Sequence, residues 1–353
     1  MVNFMPLFSK QTRKVLLTAP QFFRRFHFLN LLGLISLGTL GVCAAESTDH
    51  RLETVGSIPL PGVAGGFDLM AVDVPGSRFF LNAEENGSFE IIDLKHSSRI
   101  KSIGGMEEPK WVVYRPESKR LYISNGDGKV RVLDSDTYEQ VRTFELREKA
   151  NNLRFDASTG ELFVGVGKSH GAIGVIDTRR DQVTAEIPLA DYPKQFEVEG
   201  DRIYVNVPKK NHIAVVSRTQ GKVVATWPVQ AGEGNVPMGF DRAANRLFVG
   251  CESGRLVVFD TESGREITSV AIAGEADGVY YDAKRRLIYV SCGSGSIDVL
   301  RQIDADHYEA VDRVPTSKGA ATSLFVPELD RLYLAVPAQG AAPAELRILR
   351  PVR

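Results

Sequence analysis

One step recurs through this chain: an apolar residue, an aromatic and an aliphatic, with the aromatic at Phe80, Tyr122, Phe163, Tyr204, Phe248, Tyr289 and Tyr333. The intervals are 42, 41, 41, 44, 41 and 44 residues. Each repeat holds several short apolar runs bounded by Gly, Asp or Ser, as in Arg120–Asn125 and Lys129–Asp134. Such runs read as strands joined by tight turns. A period near 42 with several strands per repeat predicts a β-propeller, because one small sheet cannot bury its face alone and stacks on its neighbours in a ring.

The third run of each repeat ends on Asp93, Asp134, Asp177, Ser217, Asp260 or Arg301. An Asp there bonds the backbone two residues on and closes the next turn, Ser does so weakly, and Arg does not. The turn after Arg301 should therefore differ. Fourth strands are expected near residues 99–103, 141–146, 183–189, 223–229, 266–272 and 308–314. The seventh repeat ends near Arg350 without one, whereas residues 52–60 form a fourth strand with no repeat before it. This segment shares an Ile-Pro-Leu ending with residues 182–189. The expectation is all-β: seven four-stranded antiparallel blades, closed by an N-terminal strand that completes the last blade and hides the open edges.

Residues 1–45 stand outside the repeats. They carry Lys10, Arg13, Lys14, Arg24 and Arg25 and no acid, then an apolar run over 29–42, then Cys43-Ala44-Ala45. A positive flank, a short apolar core and small residues predict an export signal, and a run of about 14 residues is short of the roughly 20 a membrane span needs. The Arg24-Arg25 pair hints at twin-arginine export, with His27 out of pattern. Leu40-Gly41-Val42-Cys43 resembles a lipoprotein box, with Val42 too large. The mature chain, 46–353, is then one domain without a membrane span, periplasmic or secreted, and expected to be a monomer. The whole chain has 43 basic and 44 acidic residues; subtracting the five signal cations leaves 38 against 44, a net of −6. That charge argues against nucleic acid as a partner. Lys209-Lys210 with Lys168 and Lys194 is a local basic cluster that reads first as a solvated rim.

Cys251 and Cys292 occupy the same slot in adjacent repeats. Neighbouring blades place such positions roughly 9–10 Å apart, beyond the ~4.4–6.8 Å between Cα atoms that a disulfide wants, so two packed thiols are expected.

At Tyr122-Ile123-Ser124-Asn125 the chain resembles the YVTN-repeat, YncE-like β-propellers of bacterial periplasms, and the resemblance runs over about 52–350. Tyr204-Val205-Asn206-Val207 and Tyr289-Val290-Ser291-Cys292 keep two residues of the tetrapeptide. The resemblance implies seven blades, a periplasmic setting and mostly unassigned ligands, with DNA binding in some members and lactonase or lyase activity in related propellers. It transfers no catalytic motif. The Gly-His…Trp-Asp pairing of WD repeats is missing, as are the recurring tryptophans of quinoprotein dehydrogenases and a Cys-x-x-Cys-His haem site.

Propellers bind ligands where the innermost strands begin. In register these positions are Asp68, Lys110, Asn151, Lys194, Asn235 or Val236, Asp277 and Thr322. Two carboxylates, two ammonium groups and amides at one mouth suit a small polar or anionic ligand. A protein partner is the other candidate for that mouth. The neighbouring loops bring Glu84, Glu85, Asp127, Lys168, Lys209 and Glu252, and also His170 and His212, which are candidates for proton transfer. No His-x-x-His spacing supports a metal, and no cofactor is expected. The one alternative is calcium, because Asp68, Asn151 and Asp277 resemble the oxygen cage of calcium-bound lactonase propellers. A non-catalytic binding propeller is the first expectation. A lactonase- or lyase-type hydrolase is the second, with Asp68 and Asp277 as acid/base or metal groups and Lys110 and Lys194 stabilising an anion. No Gly-x-Ser-x-Gly elbow is present, and strings such as Gly126-Asp127-Gly128 are turn chemistry.

Overall fold

The structure, a computed structural model, describes residues 50–352. The export signal read over 1–45 lies outside them. Seven four-stranded antiparallel sheets follow one another in chain order. The first blade runs Asp68–Asp73, Arg78–Ala83, Ser88–Asp93 and Ser98–Gly104, from the innermost strand to the outermost. The remaining blades begin at the inner strands Pro109–Arg115, Ala150–Asp156, Phe196–Glu199, Asn235–Asp241, Ala276–Asp282 and Ser323–Val326.

The last blade takes its fourth strand from the other end of the chain. Leu52–Leu60 pairs antiparallel with Ala344–Pro351, with Leu52 opposite Pro351 and Leu60 opposite Ala344. A bulge shows that this is a true fourth strand. Every outer strand carries one extra residue at the same place, at Ile100, Val141, Thr184, Val224, Ile267 and Val311. Leu52–Leu60 carries its own at Val55, between Thr54 and Gly56. A bulge bends and twists an exposed edge so that it is a poor template for another chain.

The recurring aromatics are the mortar between blades. All seven, from Phe80 to Tyr333, are buried. Several pack, tilted or edge-on, against a ring on the inner strand of the next blade: Phe80 on Tyr114 at 5.4 Å between centroids, Tyr204 on Phe240 at 6.0 Å, Phe248 on Tyr281 at 5.6 Å and Tyr289 on Phe325 at 5.2 Å. Each such ring contributes about 1.5–3 kcal/mol of burial, so the period seen in the sequence is the period of the interfaces.

The turn residues act as their chemistry requires. Asp93 Oδ1 accepts from the backbone N–H groups of Lys95 and His96, and Asp134 Oδ1 from those of Asp136 and Thr137. Ser217 accepts from Gln220 N–H at 3.2 Å and is helped by Asp201, which accepts from Thr219 N–H. After Arg301 the role moves to Asp304, which accepts from Asp306 and His307. Cys251 and Cys292 are free and buried.

Candidate functional site

The inner strands are irregular where they begin. In the second blade Pro109 pairs with Asn125 and Trp111 with Ser124, leaving Lys110 as an extra, unpaired residue. Asn151 and Asn152 are the extra residues of the third blade, and Asp277 is that of the sixth. In the first blade Leu69 is extra and its neighbour Asp68 faces Asn82. A bulge frees a side chain from the alternation of the strand and re-aims it. Here the bulges aim into the channel.

Side chains of the motif hold the bulges in place. The Ser124 hydroxyl accepts from Trp111 N–H at 3.1 Å and donates to the Asn151 carbonyl of the next blade. The Asn82 amide donates to the Leu69 carbonyl at 2.6 Å, and that of Asn206 to the Val236 carbonyl at 3.0 Å. The third position of the tetrapeptide thus ties the inner strand, which is why a small polar residue stands there in an otherwise apolar second strand.

The result is a recess of about 260 Å³ at one mouth of the channel. Asp68, Lys110, Asn151, Lys194 and Asp277 line it together, joined by Glu84, Lys149, Asn152, Tyr192 and Gln195. Asn235 is placed elsewhere: it pairs in register with Cys251, and its amide donates to Asn206 Oδ1 at 2.8 Å and to the His212 carbonyl at 3.0 Å. Val236 and Pro237 are the bulge residues of that blade, so Val236 lines the recess instead. Neither histidine lines it. His170 is exposed beside Glu148, at 3.4 Å. His212 is half-buried, and burial with Lys210 nearby pushes its pKa down. Thr322 donates to the Phe67 carbonyl at 3.1 Å and lies 3.4 Å from Asp277 Oδ2.

Charge in the recess is unevenly matched. Lys110 contacts Glu84, lies 3.5 Å from Glu108 Oε2 and 3.9 Å from Asp68 Oδ2. Lys149 pairs with Glu108. Lys194 has no carboxylate within 4.0 Å among the described residues, and its ammonium lies 5.8 Å from the Tyr192 ring centroid. Asp277 likewise has no cation within 4.0 Å. Asn152 Oδ1 is buried and without a hydrogen-bond partner among the described residues. Burial, and then the charge of Asp277, push the Asp68 carboxyl up to about 7 against the pull of Lys110 and Lys194. Burial raises Asp277 as well. Burial lowers Lys110 to about 8, with Asp68 opposing and Lys149 and Lys194 assisting.

Leu69 and Gln195 close the inner end of the recess and also line a second one of about 330 Å³ beyond it. The Gln195 amide donates to the Asp277 carbonyl at 3.0 Å and accepts from Met238 N–H at 3.3 Å, so it bridges three blades across the channel. Among the described residues no group of three or more His, Cys, Asp or Glu is placed to hold a metal, and no helix is long and apolar enough to cross a membrane. Glu84 was expected from its loop, whereas Lys149, Asn152, Tyr192 and Gln195 were not legible as site residues. Lys149 precedes the bulge of the third blade and Asn152 sits in it, Tyr192 and Gln195 come from the segment before Phe196, and nothing in the period marks either place.

No family model and no curated protein matches the chain. Solved structures do. A chain of "Crystal Structure of Mitotic Checkpoint Complex" is similar with a TM-score of 0.72 at 12% identity, over 91% of this chain and 98% of that chain. The RRP9 WD40 repeats give 0.71 at 11%, over 86% and 98%. A chain of Kuenenia stuttgartiensis hydrazine synthase gives 0.65 at 17%, over 79% and 97%. At such identities the likeness is one of fold. The protein is a seven-bladed β-propeller, and its chemistry must be read from its own recess.

Proposed function

We propose that this protein is an exported, periplasmic propeller of the YVTN-repeat type that binds a small polar molecule bearing an anionic group in the recess at its channel mouth. Lys194 carries the reading. It is a half-buried ammonium lining a recess, with two further lysines in the same lining and, among the described residues, no carboxylate within 4.0 Å. An ion in that position is stabilised by an anion that replaces the water it has lost. The mildly acidic body, net −6 once the signal is removed, speaks against nucleic acid as that anion. Calcium is disfavoured at the same mouth, because Lys110 and Lys194 lower Asp68 through their positive charge and would repel the ion.

The test is a thermal-shift screen with sugar acids, phosphorylated sugars and sugar lactones, followed by calorimetry on any hit. Lys110→Ala with Lys194→Ala should abolish the shift while the circular dichroism stays that of a β protein. A shift that survives the double substitution would place the site elsewhere.

A catalytic reading of the same mouth has one specific support. A carboxyl near 7 stands beside an amine near 8, which is the range in which protons are exchanged at neutral pH. Hydrolysis of a lactone, lost in Asp68→Asn, would favour it over simple binding.

A further inference from the structure

We infer that the molecule taken by the channel mouth is a small zwitterion, its carboxylate held by the lysines and its ammonium by Asp277 and Asp68. The inference rests on the binding role proposed above and goes further by assigning a charge of each sign to the ligand.

The charges are grouped by sign around the ring. Lys110, Lys149 and Lys194 come from the second, third and fourth blades. Asp277 comes from the sixth, and Asp68 and Glu84 from the first, with the neutral Thr322 on the blade between them. The fifth blade supplies Val236. The mouth therefore has a cationic arc and an acidic arc, and of the carboxylates Glu84 is already taken by Lys110. A ring built for a simple anion has no use for the other two, Asp68 and Asp277, opposite its lysines. One built for a simple cation has no use for the lysines.

Second, the arcs leave one member of each sign unmatched. Asp277 and Lys194 line the same recess, and neither has an oppositely charged partner within 4.0 Å among the described residues. Each still feels the other, since Lys194 is the leading charge that lowers Asp277. Two opposite charges held apart in one cavity are complementary to a molecule with the reverse pair at its two ends. An ammonium between Asp277 and Asp68 would also relieve the repulsion between those carboxylates. Size sets the rest. At about 260 Å³ the recess is smaller than the ~300–1,000 Å³ of drug-sized sites, so the ligand is of free amino acid dimensions rather than a peptide.

The test uses a spacing series, glycine, β-alanine and γ-aminobutyrate, against acetate and methylammonium as single-charge counterparts, by calorimetry on the full chain at pH 7. At least one zwitterion should bind ten times or more as tightly as either counterpart. The proton balance provides a second readout that needs no variant. An ammonium beside Asp68 lowers its pKa, so zwitterion binding should release up to roughly half a proton, whereas a lone anion should cause uptake. Titrations in buffers of different ionisation enthalpy measure the sign. Asp277→Asn should reduce the preference for the zwitterion over acetate to threefold or less. Acetate binding as tightly as every zwitterion, proton uptake on zwitterion binding, or no zwitterion binding at all would each overturn the inference. If sugar acids still bind through Lys110 and Lys194, the binding role survives that outcome. If nothing binds, both fall.

Discussion

Lys110 Nζ lies 3.9 Å from Asp68 Oδ2, on the neighbouring blade, and the two are perturbed in opposite directions. Burial disfavours both charges, and each partner's charge only partly repays the other. The recess is thus a strained arrangement of ions within an otherwise well-satisfied fold, and its strain depends on pH.

That dependence has a definite sign. Asp68 titrates at about 7 in the folded chain, above the ~3.9 of an unfolded one. Its contribution to stability is full below about pH 4 and is lost as the pH rises through 7. Lys110, lowered to about 8 from an unfolded ~10.4, works the other way: its cost is present below 8 and relieved as the pH rises from 8 to about 10. Asp68→Asn should flatten the decline in melting temperature between pH 4 and 8 and be the more stable protein at pH 8, by about 1 kcal/mol or more. An unchanged profile would show that the carboxyl is not perturbed.

The seam should fail in a characteristic way. Ile58 is fully buried in the strand that closes the ring, so Ile58→Ala should cost about 2–5 kcal/mol in chemical denaturation. Removing residues 50–60 altogether leaves Ala344–Pro351 as an open, unbulged edge. Light scattering should then detect more association than in the intact chain.

Gly171 packs directly against the loop that leads to Tyr192 and Lys194. A Cβ there would overlap the Asp191 carbonyl oxygen. Backbone cannot swing aside as a side chain does. Gly171→Ala should cost about 1–3 kcal/mol and weaken any ligand-induced thermal shift. Gly104→Ala, with nothing within 4 Å of its Cβ and an ordinary φ, should do neither.

The two thiols should be silent until the fold opens. Burial pushes both Cys251 and Cys292 up to about 12. Native protein should therefore resist a thiol reagent at pH 8, and both residues should react in denaturant. Rapid reaction of either in the native state would contradict their placement.

Most of the fold was legible because its signals are local or periodic. The buried aromatic of each second strand recurs because each blade meets its neighbour in the same way. The Asp turns are visible because an Asx bond spans only two or three residues, and even the exception at Arg301 could be located, although its replacement by Asp304 could not. The missing outer strand of the last blade was visible as a count, since one spare strand stood at the other end of the chain.

The site was only partly legible, for a physical reason. Residue type and period put Asp68, Lys110, Asn151, Lys194 and Asp277 at the starts of the inner strands, and the same logic put Asn235 or Val236 there. Which of two adjacent side chains faces the channel depends on a bulge, and a one-residue slip reverses the face. At the fifth blade the bulge falls on Val236 and Pro237, so Asn235 turns into the blade to bond Asn206 and His212. The sequence alone determined the architecture, the seam and the polar character of the mouth, because these follow from short-range alternation and a fixed period. Only the tertiary structure decided which charges meet and which, like Lys194 and Asp277, share a recess with no opposite charge within 4.0 Å among the described residues. That choice depends on non-local register and on side chains brought together from six blades.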